Sequence, residues 1–310
     1  MSKIIVIGSS NTDMVIKSRS LPAPGETVLG GEFFMNPGGK GANQAVAAAR
    51  LGGDVVLVAR VGNDIFGQKA IQGFKDEGIN TDFIAVDPEQ PSGAAAIMVD
   101  ENGENCIAVA PGANNALSPA DVDSAMEQIA AADILLMQLE TPMATIEYAA
   151  MLGRGKGKTV ILNPAPAQRL SGKLLAKLDI ITPNETEAEL LTGIKVENVD
   201  DAEKAARELR KMGAGAVIVT LGSQGAYVHS ESFSGLVPAF KVKAVDTTAA
   251  GDTFNGALAV GLGSGLELEA AAVFASKAAG ISVTRLGAQT SAPRLKEIDA
   301  YFNKDLALQS

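Results

Sequence analysis

The chain is short of the residues from which reactive and metal centres are usually assembled. It has one cysteine, Cys106, and one histidine, His229. A single thiol excludes an intramolecular disulfide. With nothing around it to suggest a nucleophile, Cys106 is expected to be a buried structural residue. A single imidazole excludes a site built from several histidines, and His229 falls in a predicted strand, 225–229, without a role. No Lys/Arg-rich run offsets the formal net charge of -10, so nucleic acid and anionic membranes are not expected as partners. No stretch reaches the about 18 apolar residues of a membrane span. The apolar run at 4–7 is too short for the core of a signal peptide. A soluble cytoplasmic protein is expected.

Two nucleotide-binding fingerprints are also missing. Gly157-Lys158-Thr159 ends like a Walker loop, but Leu152 stands where that loop needs its first glycine. After the first apolar run the chain reads Gly8-Ser9-Ser10-Asn11-Thr12-Asp13, not the glycine pattern of a dinucleotide fold. That speaks against a nicotinamide oxidoreductase. A kinase with this sequence would have to hold phosphates in another way.

What is present is a chain of 310 residues, 46% hydrophobic and 20% charged, enough for a large core. Short β-branched or Leu-rich runs at 4–7, 55–58, 134–137, 159–162, 180–182 and 217–220 read as buried strands. Helical patterns lie between and after them, at 42–51, 119–130, 202–212 and 251–262. The 119–130 helix is capped by Ser118 and carries Asp121 and Asp123 in its first turn. This alternation predicts an α/β fold with a mostly parallel sheet flanked by helices. Residues 14–36 and 92–110 break the alternation. They hold β-like runs around Pro22, Pro24 and Gly25, and around the hairpin signal Asn102-Gly103. They are read as four strands of a small separate sheet inserted into a main unit of 1–13, 37–91 and 111–310. The tail, 250–302, is nearly all helix by pattern.

Four motifs carry candidate chemistry, each with a plain structural reading beside it. Asp246-Thr247-Thr248-Ala249-Ala250-Gly251-Asp252 leads small residues into a helix N-terminus, where free N–H groups can receive an anion. Asp252 there could accept a proton from an attacking hydroxyl, or Asp246 or Asp252 could simply cap the helix. Asn36-Pro37-Gly38-Gly39-Lys40-Gly41-Ala42-Asn43-Gln44 presents an ammonium and two amides suited to a polyhydroxylated ligand, or is a Gly-rich turn with an exposed lysine. Asn184 and Glu187 form a capping box, and also set an amide and a carboxylate at the carboxyl end of a strand, where α/β folds bind ligands. Thr220-Leu221-Gly222-Ser223-Gln224-Gly225 is a turn, or a loop lying against a nucleotide.

Taken in this order, these motifs resemble the ribokinase family, also called the phosphofructokinase-B family of sugar kinases. Gln138-Leu139-Glu140 and Asn163-Pro164-Ala165-Pro166-Ala167 add to the resemblance, which covers essentially the whole chain. It implies an ATP-dependent kinase for a small sugar, ribose before others, with a β-sheet lid formed by 14–36 and 92–110 and a homodimer joined through the lids. Asn11, Asp13, Gly39, Lys40, Asn43 and Glu140 are implied as sugar ligands, and Asp252 as the base. The N–H groups of Ala249, Ala250, Gly251 and Asp252 are implied as the anion hole. Asn184 and Glu187 would lie near the phosphates and the water shell of Mg²⁺. Thr220, Leu221, Gly222, Ser223, Gly225 and Ser276 would border the nucleotide. Asp246, Thr248, Ser282, Arg285, Gly287 and Ser291 would ring an activating monovalent cation, usually K⁺. Ala249 stands where the family often has glycine. Deoxyribose, a ketohexose or a nucleoside are alternative substrates. A non-catalytic sugar-binding regulator is the alternative of another class.

Overall fold

The computed structural model of the protein describes the backbone of residues 1–307 and side chains through Phe302. In chain order the strands are β1 (Lys3–Ile7), β2 (Asn11–Lys17), β3 (Glu32–Gly38), β4 (Asp54–Gly62), β5 (Ile84–Asp87), β6 (Gly93–Val99) and β7 (Asn105–Ala110), followed by β8 (Ile134–Met137), β9 (Thr159–Leu162), β10 (Ile180–Ile181), β11 (Ala216–Thr220), β12 (Gly225–His229) and β13 (Ser234–Pro238). The helices are α1 (Lys40–Arg50), α2 (Ile65–Asp76), α3 (Pro119–Ser124), α4 (Met126–Ala131), α5 (Met143–Gly155), α6 (Gly172–Leu175), α7 (Glu185–Thr192), α8 (Val199–Lys211), α9 (Ala250–Gly263), α10 (Leu268–Ser282) and α11 (Leu295–Ala307).

Nine strands form the main sheet in the order β13-β12-β11-β10-β9-β8-β1-β4-β5. It is parallel from β5 to β11, and β12 and β13 add an antiparallel edge. Successive residues of a strand point to opposite faces, and both faces of this sheet are covered. Ile4 and Val6 join one apolar cluster with α1, α9 and α10, while Ile5 and Ile7 join a second with α5 and α8. Burial on both sides explains why these strands read as unbroken apolar runs. No helix among the described residues is long and apolar enough to cross a membrane.

The second sheet is small, in the order β3-β2-β6-β7, with β2 and β6 parallel and the two hairpin pairs antiparallel. The turn at Asn102-Gly103 closes β6 onto β7. Asp100 Oδ1 accepts from the N–H groups of Asn102 (2.8 Å) and Glu104 (2.9 Å), and Gly103 takes φ 84°. The strands run further than the sequence suggested. β2 begins at Asn11 and β3 ends at Gly38, so residues read as loop belong to this sheet.

Three expectations need correction. Cys106 is exposed, not buried. It lies on the edge strand β7, all six residues of which are exposed; an alternating apolar strand is buried only where another layer covers it. The single helix expected at 119–130 is two, α3 and α4, parted at Ala125. There the Ser124 hydroxyl donates to the Asp121 carbonyl (2.6 Å), and Ala125 N–H reaches only three residues back, to Val122. A side chain that competes for a helix carbonyl loosens the turn it sits on. The tail is helical except between α10 and α11, where residues 283–294 form a loop with one short turn, Gln289–Ser291. Arg50 fastens that loop, donating to the carbonyls of Gln289 (2.6 Å) and Ala292 (3.0 Å).

Candidate active site

The carboxyl ends of the parallel strands converge on one cleft, as they do in open α/β sheets generally. Asn11 follows β1, Gln138 and Glu140 follow β8, Asn163 follows β9, Asn184 follows β10, and Thr220 ends β11. Helix α9 brings Asp252 to the same place from behind.

Asp252 is the third residue of α9 and is 6% exposed. Its Oδ2 accepts from Asn43 Nδ2 (2.9 Å) and its Oδ1 from Gln44 Nε2 (3.0 Å). Burial pushes its carboxyl above the usual range, and Lys40 with the two amides pulls the other way. Behind it runs a chain of buried amides. Gln138 Nε2 donates to Gln44 Oε1 (2.6 Å), Gln44 Nε2 also reaches Asn163 Oδ1 (3.1 Å), and Asn163 Nδ2 donates to the Thr182 carbonyl (3.1 Å). Thr182 in turn donates to Asn255 Oδ1 (2.7 Å), and Asn255 Nδ2 to the Gly251 carbonyl (2.8 Å). Every link fixes the rotamer of the next, so the Asp252 carboxylate is held by Asn43 and by a Gln44 that is itself locked.

Ahead of α9 the backbone turns sharply. Ala249 has φ 56°, the one non-glycine residue with positive φ among those described. An alanine there carries strain of about 1–2 kcal/mol that glycine would not. The turn leaves the N–H groups of Ala249, Gly251 and Asp252 without a partner among the described residues, while Ala250 N–H is spent on the Thr247 carbonyl (3.2 Å). Three convergent free N–H groups at the positive end of a helix make a receptor for an anion.

Lys40 opens α1. Its N–H donates to Glu140 Oε2 (2.9 Å), which also accepts from Ser9 Oγ (2.5 Å). Its ammonium makes no ion pair among the described residues. Burial works against its charge, yet Asp252, Glu140, Glu187 and Asp13 together hold it above its usual value. The same crowding acts on the acids. Burial first, then Glu140 and Asp252, raise Asp13 to about 6, and burial raises Glu187. Gly39, at φ 89°, lets the chain pass here: a Cβ on it would lie 2.7 Å from Asn11 N.

The nucleotide-side residues lie together. Asn184 and Glu187 form the reciprocal box at the start of α7, with bonds of 2.8 and 2.9 Å. Thr220 pairs with Asn184 across a single bridge, its N–H on the Pro183 carbonyl (2.9 Å). Leu221 is buried and its N–H closes on the Gly225 carbonyl (2.8 Å), leaving Gly222 and Ser223 exposed. Ser276 is buried on α10. Further along, Asp246 accepts from Thr248 N–H and Gly287 N–H, both at 2.9 Å. Burial opposes its charge, but these bonds hold its carboxyl below the usual range. Val245 and Asp246 N–H bond the Val283 carbonyl, so the 246–248 and 282–287 segments meet. Ser282 and Ser291 are buried, each hydroxyl turned to a backbone carbonyl, and Arg285 pairs outward with Glu297 (2.6 Å).

Sequence reasoning gave Gln138, Asn163, Thr182, Asn255 and Asn114 no function. The signal for the first two was their position, just beyond the carboxyl ends of strands. A cavity of about 440 Å³ lies at the root of the small sheet, walled by Asn11, Thr12, Met35, Phe66, Phe74 and Gln289, and so shares Asn11 with the cleft. It does not include Asp252, Lys40 or Glu140.

The description "pfkB family carbohydrate kinase" matches residues 1–295. The chain is 46% identical over 294 residues to a ribokinase of Haemophilus influenzae, covering 95% of this chain and 96% of that one. It is 40% identical over 301 residues to a deoxyribokinase of Salmonella typhi, covering 97% and 98%. The solved structure of Arabidopsis thaliana ribokinase complexed with ribose and ATP superposes with a TM-score of 0.89 at 32% identity, covering 96% of this chain and 98% of that one.

Proposed function

The chain belongs to the pfkB family of carbohydrate kinases, and from that premise we propose that it transfers the γ-phosphoryl group of ATP to O5 of D-ribose, giving ribose 5-phosphate and ADP. One observation carries the reading: a buried carboxylate, Asp252, sits beside three free helix N-terminal N–H groups, with the Lys40 ammonium in the same cleft.

Each part of that arrangement has a task. Asn11, Asp13, Gly39, Lys40, Asn43 and Glu140 hold the sugar, the carboxylates and the Asn43 carbonyl oxygen accepting from its hydroxyls. Asp252 takes the proton of the attacking hydroxyl as oxygen–phosphorus bonding begins; its burial, which favours the protonated form, makes it a competent acceptor. The bond from the γ-phosphorus to the bridging oxygen breaks, and ADP leaves with that electron pair. The N–H groups of Ala249, Gly251 and Asp252 face the charge on the transferring group, a contribution of positioning and electrostatics. Thr220, Leu221, Gly222, Ser223, Gly225 and Ser276 border the nucleotide.

Mg²⁺ neutralises phosphate charge when bound. Asn184 and Glu187, an amide and a carboxylate at the start of α7, would face its water shell. For K⁺ the fit rests on Asp246, an ionised group in a loop stitched to 283 and 287, where backbone carbonyls and Ser282 and Ser291 supply further oxygen. Thr248, Arg285 and Gly287 would be the other residues around it.

Residues 14–36 and 92–110 act as the lid over 1–13, 37–91 and 111–310. The lid's outer face exposes Ile16 (41%), Phe33 (61%) and Met35 (44%), and such an apolar face supports a homodimer joined through it. The Salmonella relative gives 2-deoxyribose a claim as second substrate. An ADP-release assay with ATP and Mg²⁺, run with ribose, deoxyribose, fructose and adenosine, each in K⁺ and in Na⁺, tests the whole. Ribose-dependent release that rises with K⁺ is expected. Release with another substrate alone would discard ribose, and none with any would discard the kinase reading.

A further inference from the structure

Asn114 is 2% exposed, lies in the short helical turn Gly112–Ala116, and belongs to none of the four motifs. Its side chain makes three hydrogen bonds. Ser10 N–H donates to Asn114 Oδ1 (2.8 Å). Asn114 Nδ2 donates to the Ser10 carbonyl (3.1 Å) and to Asn11 Oδ1 (2.7 Å).

These bonds form a chain of forced choices. A backbone N–H can only donate and a backbone carbonyl can only accept. Ser10 offers both to Asn114, so the amide of Asn114 has one possible orientation. Its NH₂ then faces Asn11, and only the carbonyl oxygen of Asn11 can meet it. The amide of Asn11 is thereby locked with its oxygen inward and its NH₂ outward. Space enforces the arrangement too. Gly93 pairs with Asn11 across the small sheet, and a Cβ on it would collide with both Asn11 Oδ1 and Asn114 Nδ2.

Asn11 and Asp13 are two residues apart on β2 and so share a face. Asn11 Nδ2 donates to nothing among the described residues and is not among the enclosed groups left without a partner. The side chains around that cleft are mostly acceptors: Asp13, Glu140, Asp252, and Asn43 Oδ1, which is buried with no partner among the described residues. Donors are scarce, Lys40 being the other. A sugar hydroxyl that gives its proton to a carboxylate still has lone pairs to satisfy, and so does the ring oxygen.

We infer that Asn114 is a positioning residue that sets substrate specificity: by fixing the amide of Asn11, it makes Asn11 a hydrogen-bond donor to one sugar oxygen. This rests on the proposed sugar site and deepens it. Asn114 touches no substrate and acts only through Asn11.

The test is Asn114→Asp, nearly the same shape. Its carboxylate still accepts from Ser10 N–H but gives Asn11 no N–H, so the Asn11 amide turns over and shows the sugar its oxygen. Calorimetric titration with D-ribose should find the dissociation constant raised about tenfold, the worth of one hydrogen bond. The melting temperature should fall, because a buried carboxylate oxygen then faces the Ser10 carbonyl, while ATP affinity of the folded protein should stay close to wild type. In an Asn11→Ala background, Asn114→Asp should add almost nothing to the loss for ribose. An undiminished effect in that background overturns the inference. So does a loss shared equally by ribose and ATP, which is what a merely structural role predicts. Asn114→Ala, which releases Asn11 without inverting it, should fall between wild type and Asn114→Asp; a larger loss than Asn114→Asp also overturns it. Wild-type protein that binds no ribose defeats the substrate reading instead, and is seen before any variant is made.

Discussion

Strands β8 and β7 are both made mostly of apolar residues. All four residues of β8, Ile134–Met137, are buried, and all six of β7, Asn105–Ala110, are exposed. The difference lies in what surrounds them. β8 sits mid-sheet with helices on both faces, and β7 is the edge of a four-stranded sheet, where no described element covers either of its faces. Apolar content therefore says where a strand can be buried, and the layers around it say whether it is. On the proposed reading the large sheet would hold the chemistry still, and the small one would be spent on binding.

The comparison can be broken or sharpened by mutation, beginning at the cleft. Asp252→Asn removes the proton acceptor from the rigid side and should lower kcat about 10²–10⁴-fold, while ribose affinity by calorimetry changes little. Near-normal turnover would take Asp252 out of the chemistry. Next comes the core itself. Leu136→Ala in β8 should cost about 2–5 kcal/mol of stability in urea unfolding, with activity per folded molecule retained.

The outer face of the small sheet should respond in assembly instead. Phe33→Glu, at a position 61% exposed, should leave the urea midpoint nearly unmoved and shift sedimentation from dimer to monomer. An unchanged dimer would place the subunit contact elsewhere.

Asp13→Asn separates stability from binding. The folded carboxyl titrates at about 6, above the ordinary 3.8. The folded chain thus binds the extra proton, and stability is lost as pH rises from about 4 to about 6. Above that range the ionised, buried Asp13 is a burden. Its amide variant should be more stable at pH 7, by about 1–2 kcal/mol once partial exposure is discounted, with the gain lost as pH falls below about 3, where the carboxyl is largely protonated in both states. Wild-type KM for ribose should rise as pH falls through about 6, and the variant should lose that limb. The smallest effect is expected at Ile107→Ala on β7, within about 0.5 kcal/mol, and a larger one would mean that β7 is covered in solution.

Most of the large sheet was legible because burial on both faces leaves a local mark, an unbroken apolar run. The small sheet was legible in its hairpin and less so at its root, where Asn11 and Gly38 carry no strand signal and are held by pairing to Gly93 and to each other. Lys40, Asn184, Glu187 and Asp252 stood out as candidates because glycines and helix starts frame them. Gln138, Asn163, Asn255 and Asn114 were not, because a buried amide has no periodicity and its partner lies far along the chain: Asn114 is 104 residues from Ser10, and Gln138 is 94 from Gln44. The break at Ala125 and the exposure of Cys106 depended on neighbours that local sequence does not name.

The chain leaves β1 through Ser9 and Ser10 straight into β2, and returns from β3 through Gly39 straight into α1. Asn11 and Asp13 thus stand at the foot of the outgoing strand, and Lys40 at the foot of the returning one. On the proposed sugar site, cover and grip would be one length of chain. A small sheet that swung away would take part of the sugar's hydrogen bonds with it. Opening and letting go would then be a single event, and the residence time of a phosphorylated product would be set by the stiffness of two short joints, Ser9–Ser10 and Gly38–Gly39.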